Sequence, residues 1–385
     1  MCHRLQYSLF FIKDAFDHNQ AKVEMRRENT QRIEEANTYF KMLNQTKLHR
    51  ILGGAHRGSS LDIVISIVTV SRNRHRIDSY EPKYLSQVLA TLLKLTQEAI
   101  LNDFPYSLHL EICNVDFDPA TYAEAQHLSK YVTMVSRFNK THLTFDNQLE
   151  KEKKDYVFCL NQAQKHNTRY VLLLEDDALP IPEFFTVLKH TIVAHLDKKY
   201  QRGEFRENAE RVAFVKLYHP QRLIGFLSIE PERLPEWFSI AVILTMFSAL
   251  IYKQIYLTDN AASKISLYFL TFAFFVYYLL VMLVIGRANL IEIRRFLPPH
   301  LYSYVPAPEC CTPAMLFPQS GAETLVNYLN SVQCKAKFGK DIALEQFLHD
   351  SENPEWTAYM VQPNLVTHIG MYSSLRTAIV DPLSV

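Results

Sequence analysis

The sequence predicts an α/β fold: a Rossmann-like sheet domain interrupted in the chain by a transmembrane α-helical hairpin. Three observations carry this expectation. Short β-branched runs alternate with helical segments up to residue 236, two long uncharged stretches follow, and the strand and helix pattern resumes from residue 288. Such alternation predicts a doubly wound sheet whose ligand sits at the carboxyl ends of the strands.

Residues 1–58 read as a stem with an amphipathic helix. The segment is charged from residue 13, Ile33, Ala36, Phe40 and Leu43 fall at helical spacing, and Gly53, Gly54 and Gly58 punctuate its end. Residues 59–236 are the first part of the sheet domain. The run LDIVISIVTV (61–70) is the apolar stretch of a doubly buried strand, followed by Ser71, Arg72, Asn73 and Arg74. A helix at 84–101, a strand at 108–115 ending in Asp116 and a third strand at 131–135 come next. They are followed by a helix at 156–166, a strand at 170–174, an amphipathic helix at 183–200 and a strand at 211–217. Residues 237–287 are the hairpin. The second part of the domain, residues 288–385, offers strands at 302–306 and 314–317, helices at 322–332 and 342–347, and a turn-rich apolar tail. The first part has strands but no closing lobe, so one domain with a membrane insertion is preferred to two unrelated domains.

The stretch WFSIAVILTMFSALIY (237–252) contains no charge, and neither does ISLYFLTFAFFVYYLLVMLVI (265–285). At about 1.5 Å per residue the second crosses a hydrocarbon core of about 30 Å. The first reaches that length at about residue 257 if Lys253 snorkels to the interface. A turn at 258–263 is too short to hold a domain, so both outer ends lie on one side. Absence of polar periodicity disfavours the alternative of two buried core helices. Lys253 and Lys264 flank the turn while Arg287, Arg294 and Arg295 follow the exit, so positive charge does not set the orientation. The sequons at Asn44 and Asn139 suit lumenal outer ends. The apolar run at 5–12 is too short to span. Either the hairpin inserts the protein by itself, or the chain begins downstream of a true start.

With 41 Lys+Arg against 40 Asp+Glu, the net charge of +1 gives no basic field for nucleic acid. The six cysteines lack zinc-finger spacing, and disulfides among them require an oxidising compartment. A channel or transporter would place charged groups within more than one hairpin, and neither uncharged stretch, 237–252 or 265–285, contains one.

The segment YVLLLEDDALP (170–180) delivers Glu175, Asp176 and Asp177 from a buried strand to the ligand edge of the sheet. A hard cation, Mn²⁺ or Mg²⁺, takes carboxylates together with substrate phosphate oxygens, and it would neutralise charge on a departing diphosphate. An ordinary acidic loop is the plainer alternative, but the position after an apolar strand beside a membrane hairpin favours the metal. Arg72 and Arg74 offer planar forks to phosphate or base at that same edge, or are simply solvated. Asp116 either holds ribose hydroxyls or caps a turn. His368 is either a core histidine or the imidazole that completes a carboxylate-rich metal site. In FGKDIALEQF, Asp341 and Glu345 lie four apart on one helical face, and one is the expected general base, Asp341 favoured; a helix cap is the plain reading. Cys310 or Cys311 with Cys334 is the expected disulfide, its connectivity open.

Together SIVTVSRNR, LLLEDDALP, FVKLYHPQRL, the inserted hairpin, ECCTPAMLFP and PNLVTHIGMYSSL resemble the post-GPI-attachment N-acetylgalactosamine transferases of the Golgi, from about residue 60 to the end. The resemblance implies a metal-dependent glycosyltransferase-A domain in a multi-pass Golgi membrane protein, its catalytic domain lumenal. It implies an inverting transfer of N-acetylgalactosamine from UDP-GalNAc to the 4-hydroxyl of the first mannose of a GPI-anchored protein. By position, Glu175, Asp176 and Asp177 take the place of the metal-binding motif, and Val70, Ser71 and Arg72 fall in the donor-binding segment, with Asp116 beyond it. The tail PNLVTHIG also resembles the C-terminal segment of branching N-acetylglucosaminyltransferases, which implies His368 as a metal ligand beside Asp177 and Glu175. At the N-terminus the chain departs from the family, which has a membrane anchor there. No residue discriminates the sugar epimers, so a UDP-GlcNAc enzyme is the runner-up. A catalytically inactive binding protein of the same fold is the other alternative, and the intact triplet argues against it.

Overall fold

The computed structural model describes residues 18–44, 46, 48, 51, 61–72, 80–139, 147–197, 211–220, 223, 234–256, 263–350 and 355–372. Arg74, the apolar run at 5–12, the glycines at 53–58, part of each sequon, the hairpin turn at 257–262 and the last residues of the tail lie outside these.

A mixed eight-stranded sheet forms the centre. Before the hairpin come β1 (Ile63–Thr69), β2 (Leu108–Asn114), β3 (Thr133–Ser136), β4 (Tyr170–Glu175) and β6 (Arg211–Lys216), with a short β5 (Ala178–Pro180) outside this sheet. After it come β7 (Ser303–Pro306), β8 (Ala314–Pro318) and β9 (Trp356–Gln362), and then β10 (Val366–His368), which pairs with β5. The order is β3-β2-β1-β4-β8-β6-β9-β7. Thus β8, from beyond the hairpin, lies between two strands that precede it and runs antiparallel to both. The expected parallel sheet holds for β3-β2-β1-β4. Beyond β4 the sheet is mixed, because β8 and β7 run against their neighbours. Strand direction is invisible in a run buried on both faces, since either direction needs the same aliphatic residues.

Alternate residues of β1 feed two cores. Ile63, Ile65 and Ile67 pack with Leu85, Leu89 and Leu92 of α2 (Tyr84–Leu101) and with Phe184 of α5 (Phe184–Thr191). Val64 faces Tyr156 and Leu160 of α4 (Gln148–Gln164) and Leu325 of α9 (Gln319–Ser331). The short α3 is Ala123–Leu128 and α10 is Lys340–His349. At Gly321, on α9, an added Cβ would lie 2.2 Å from the carbonyl oxygen of Ala213, so this helix approaches β6 only as glycine allows.

Several boundaries differ from expectation. The α4 helix begins at Gln148, capped by Asn147, whose side chain accepts from the Leu149 and Glu150 amides. Its lysine-rich first half hides the start, yet Lys151 and Lys153 are buried and paired with Asp155 and Glu150. The expected helix at 183–200 ends at Thr191 and continues as a π-helical segment, Ile192–Asp197. The stem segment forms α1 (His18–Met42), tied to the domain: Arg32 Nε donates to Gln87 at 2.9 Å, and Arg26 donates to the Tyr372 hydroxyl at 2.8 Å.

The hairpin consists of α6 (Leu234–Tyr256) and α7 (Ser263–Ile285), packed against each other. Within it, Trp237–Ile255 and Leu267–Ile285 are long and apolar enough to cross a membrane, and only 11% and 6% of them is buried in the protein. Tyr268, Phe269 and Phe272 point outward, so these are not core helices. Ser248 and Tyr278 hydroxyls meet at 2.6 Å, satisfying two polar groups inside the hairpin. Gly286, at φ 76°, turns the chain into α8 (Arg287–Glu292).

The disulfide expectation is corrected. Cys113 on β2 pairs with Cys159 on α4, Cys310 pairs with its neighbour Cys311, and Cys334 is a buried free thiol. The β2 and α4 cysteines face each other across the sheet-helix interface, a proximity that sequence spacing does not reveal.

Candidate active site

In the sheet β1 and β4 are neighbours, with Val68 opposite Glu175. The segment after β1 and the acidic triplet after β4 therefore emerge side by side. Register continues past the strands: the Asp176 amide donates to Val68 O at 3.0 Å, and the Glu175 amide to Pro313 O at 2.7 Å. Pairing of β10 with β5 sets His368 opposite Ala178, and the Ile369 amide donates to Asp177 O at 2.9 Å. This brings the C-terminal segment to the triplet.

The three carboxylates point in different directions. Asp177 Oδ2 lies 3.6 Å from His368 Nε2 and 3.4 Å from an Arg72 nitrogen. Asp177 Oδ1 and His368 Nδ1 are buried without a hydrogen-bond partner. Asp176 is ion-paired with Arg72 and accepts from the Thr69 hydroxyl at 2.7 Å and the Val70 amide at 3.4 Å. Burial pushes the Asp176 carboxyl upward, opposed by Arg72. Burial also works against the Arg72 charge, but Asp176 and Asp177 outweigh it and hold the guanidinium above its usual range. Its Nε is buried with no acceptor, and its fork lies 5.9 Å from the Tyr84 ring. Glu175 faces the other way: its Oε1 takes Lys340 Nζ at 3.2 Å and the Thr312 hydroxyl at 3.4 Å. Burial raises the Glu175 carboxyl, with Lys340 opposing.

Thr312 links this edge to Asp341, whose Oδ1 lies 3.3 Å from the same hydroxyl and whose Oδ2 accepts the Cys311 amide at 3.1 Å. Glu345, one turn along α10, is raised by burial and by its neighbour Glu309. Beneath them Lys216 donates to Pro308 O and Cys310 O at 2.7 and 2.6 Å, and burial lowers its ammonium to about 8. Asp116 stands apart. It is fully buried and accepts the Ser71 amide at 3.0 Å and the Asp118 amide at 2.9 Å, which pins the loops after β1 and β2.

A family model described as GPI-N-acetylgalactosamine transferase PGAP4 matches residues 63–367. The chain belongs to that family. Membership makes it a glycosyltransferase of GPI modification. The matched span opens on the first residue of β1, contains the triplet and the hairpin, and stops one residue before His368.

Several residues of the site in this family member escape sequence reasoning. Lys340 is buried between Glu152 and Glu175, although a lysine at a helix start reads as solvated. The Tyr84 hydroxyl accepts the amides of Met371 and Tyr372 at 2.6 and 3.2 Å, fastening the C-terminal segment across the edge. Gly370 leaves room for the pair: a Cβ there would lie 2.3 Å from Asp177 Oδ2. His368 in PNLVTHIG is the signal in the sequence that pointed to this segment.

Proposed function

We propose that the chain transfers N-acetylgalactosamine from UDP-GalNAc, with inversion, to the 4-hydroxyl of the first mannose of a GPI-anchored protein, using Mn²⁺ or Mg²⁺ in the Golgi lumen. The observation that carries this reading is the convergence of Arg72, Asp177 and His368 where β1 and β4 end, in a chain of this family.

The donor set fits a divalent cation. One carboxylate oxygen, Asp177 Oδ1, and one imidazole nitrogen, His368 Nδ1, are buried without partners, and substrate phosphate oxygens would complete the coordination. When bound, the ion supplies positive charge to the departing diphosphate. Asp177 and His368 are the ligands in this reading. Glu175, turned to Lys340, adds negative charge nearby and sets the position of that lysine. Arg72 directs its unpartnered Nε toward the donor phosphates, while Asp176 holds the guanidinium in place. The Val70 and Ser71 backbone, tied to Asp176 and Asp116, frames the nucleotide.

Inversion by direct displacement needs a base on the acceptor side. Asp341 is assigned that role, since Thr312 connects it to the triplet edge, with Glu345 as the alternative. Lumenal placement is supported by the Cys113–Cys159 bond, which belongs to an oxidising compartment. The hairpin then places the domain next to a lipid-anchored acceptor.

The test is a donor screen with purified chain, Mn²⁺ and a GPI-anchored acceptor. Transfer from UDP-GalNAc, abolished by EDTA, is expected. Transfer from UDP-GlcNAc alone would install the runner-up, and full activity in EDTA would remove the metal. In the same assay Asp341→Asn is expected to lower turnover by about 100-fold or more with donor binding intact. Unchanged turnover in both Asp341→Asn and Glu345→Gln places the base elsewhere.

A further inference from the structure

Far from the carboxyl edge, the face of β2 that packs on α4 carries a polar set the transfer reaction does not use. The strand reads Leu-His-Leu-Glu-Ile-Cys-Asn, and its residues on that face are His109, Glu111 and Cys113. A strand buried on both faces is expected to be aliphatic, so three exceptions in register call for a physical cause. Cys113 has one, its disulfide to Cys159 of α4.

Glu111 is buried to 1% exposure. Its Oε2 lies 3.0 Å from Nε2 of His166, just beyond the end of α4, while its Oε1 is buried with no hydrogen-bond partner. The His109 and His166 rings are 4.6 Å apart, and one ligand atom from each of the three residues lies within 4.8 Å of the others. His109 also meets the Thr133 hydroxyl at 3.3 Å. Ser66, the register partner of Glu111 on β1, has a buried hydroxyl without a partner as well. The contact between His166 and Glu111 satisfies one carboxylate oxygen and leaves the other buried without a partner, which is costly unless something else binds it.

We infer that His109, Glu111 and His166 form a binding site for a borderline transition-metal dication, Zn²⁺ foremost. Two imidazoles and one carboxylate are a zinc donor set, whereas Mg²⁺ and Ca²⁺ take oxygen ligands. Bonds of about 2.0–2.2 Å to zinc bring tetrahedral ligand atoms to roughly 3.3 Å from one another. The Glu111 and His166 atoms, 3.0 Å apart, are already near that spacing, and the His109 atom, within 4.8 Å of both, would have to draw closer. His166 is half-exposed, so water reaches the fourth position. The ion would join β2 to the end of α4, as the disulfide joins them further along. It would thereby steady the helix whose Glu152 holds Lys340 beside Glu175.

The test uses the full-length purified chain, stripped with a chelator and reloaded with Zn²⁺ or Co²⁺. Bound metal per chain is counted, and the visible bands of Co²⁺ report nitrogen and oxygen coordination. Because the carboxyl edge also offers ligands, each titration is repeated in His368→Ala. A zinc ion that survives His368→Ala, that raises the melting temperature, and that is lost in both Glu111→Gln and His166→Asn is expected. His166 lies at the surface, so His166→Asn remains informative if Glu111→Gln fails to fold. The inference is overturned if the stripped protein takes up no zinc, or if His166→Asn binds it with the stoichiometry and affinity of the unaltered chain.

Discussion

A methyl group on Gly370 would sit 2.3 Å from Asp177 Oδ2 and 3.0 Å from His368 Cε1, so this glycine sets how closely the two side chains meet. Gly370→Ala is therefore expected to weaken Mn²⁺ binding and lower transfer by about 10–100-fold, as loss of support around metal ligands does. Asp177→Ala, which removes a proposed metal ligand, should abolish transfer while the protein keeps its melting temperature within a few degrees. Calorimetry beside activity separates the two effects. Glu124 makes a different prediction. It lines the cavity that Arg72, Tyr84 and Asp176 share, and burial raises its carboxyl to about 7, offset in part by donation from the Ser86 amide and hydroxyl. A carboxyl whose folded value is raised stabilises the fold below its unfolded value near 4.5, and that contribution is lost as pH rises through about 7. The melting temperature should thus fall between pH 5 and pH 8, and Glu124→Gln should flatten that fall by about 2–4 °C. An identical pH profile in the variant would exclude Glu124 as its source. The triplet and Arg72 were legible because a buried apolar run announces where its strand ends. Lys340 and Tyr84 were not, because their roles come from partners more than 150 residues away in sequence, Glu175 for one and Met371 for the other.

Among the elements, legibility followed hydrophobic contrast. The apolar runs of β1 and β4 and the periodic α2 are visible in sequence, whereas β5, β9 and β10 are not. The first and last of these are three residues long, and β9 alternates only weakly. The amino half of α4 was hidden by lysines that fold inward onto acidic partners. The pairing of Cys113 with Cys159 was hidden for a related reason: it depends on β2 and α4 packing face to face, which no spacing rule encodes. That bond closes a loop of 46 residues, for which chain entropy gives about 4 kcal/mol of stabilisation. Replacing both cysteines by alanine should lower unfolding stability by about 2–4 kcal/mol in denaturant titrations. Cys334→Ala, at a thiol with no disulfide, should cost less. Equal losses would mean the Cys113–Cys159 bond contributes nothing beyond packing.

At the scale of the whole molecule, the hairpin and the sheet constrain each other. Strand β8 follows the hairpin yet completes the sheet between β4 and β6, so in the proposed topology the chain on either side of the hairpin must end on the same side of the bilayer. Two spans achieve this and one does not. Deleting α7 alone would leave α6 as a single span, carry β7, β8 and β9 to the opposite face, and deprive β4 and β6 of the strand between them. The consequence extends beyond the membrane region, because the Glu175 amide is held by Pro313 just before β8, and Lys340 reaches the triplet from the same late segment. Deleting both spans and bridging residues 236 and 286 with a flexible linker returns the two parts to one compartment. The larger deletion is therefore expected to be the milder one. It should retain UDP and Mn²⁺ binding within about tenfold while losing transfer to acceptors embedded in membranes, whereas removal of α7 alone should abolish binding as well. Nucleotide binding to the two purified proteins in detergent, with protease protection to report which side each end occupies, decides the matter. If the single deletion binds UDP as well as the double deletion does, either the hairpin does not span or β8 is dispensable to the site.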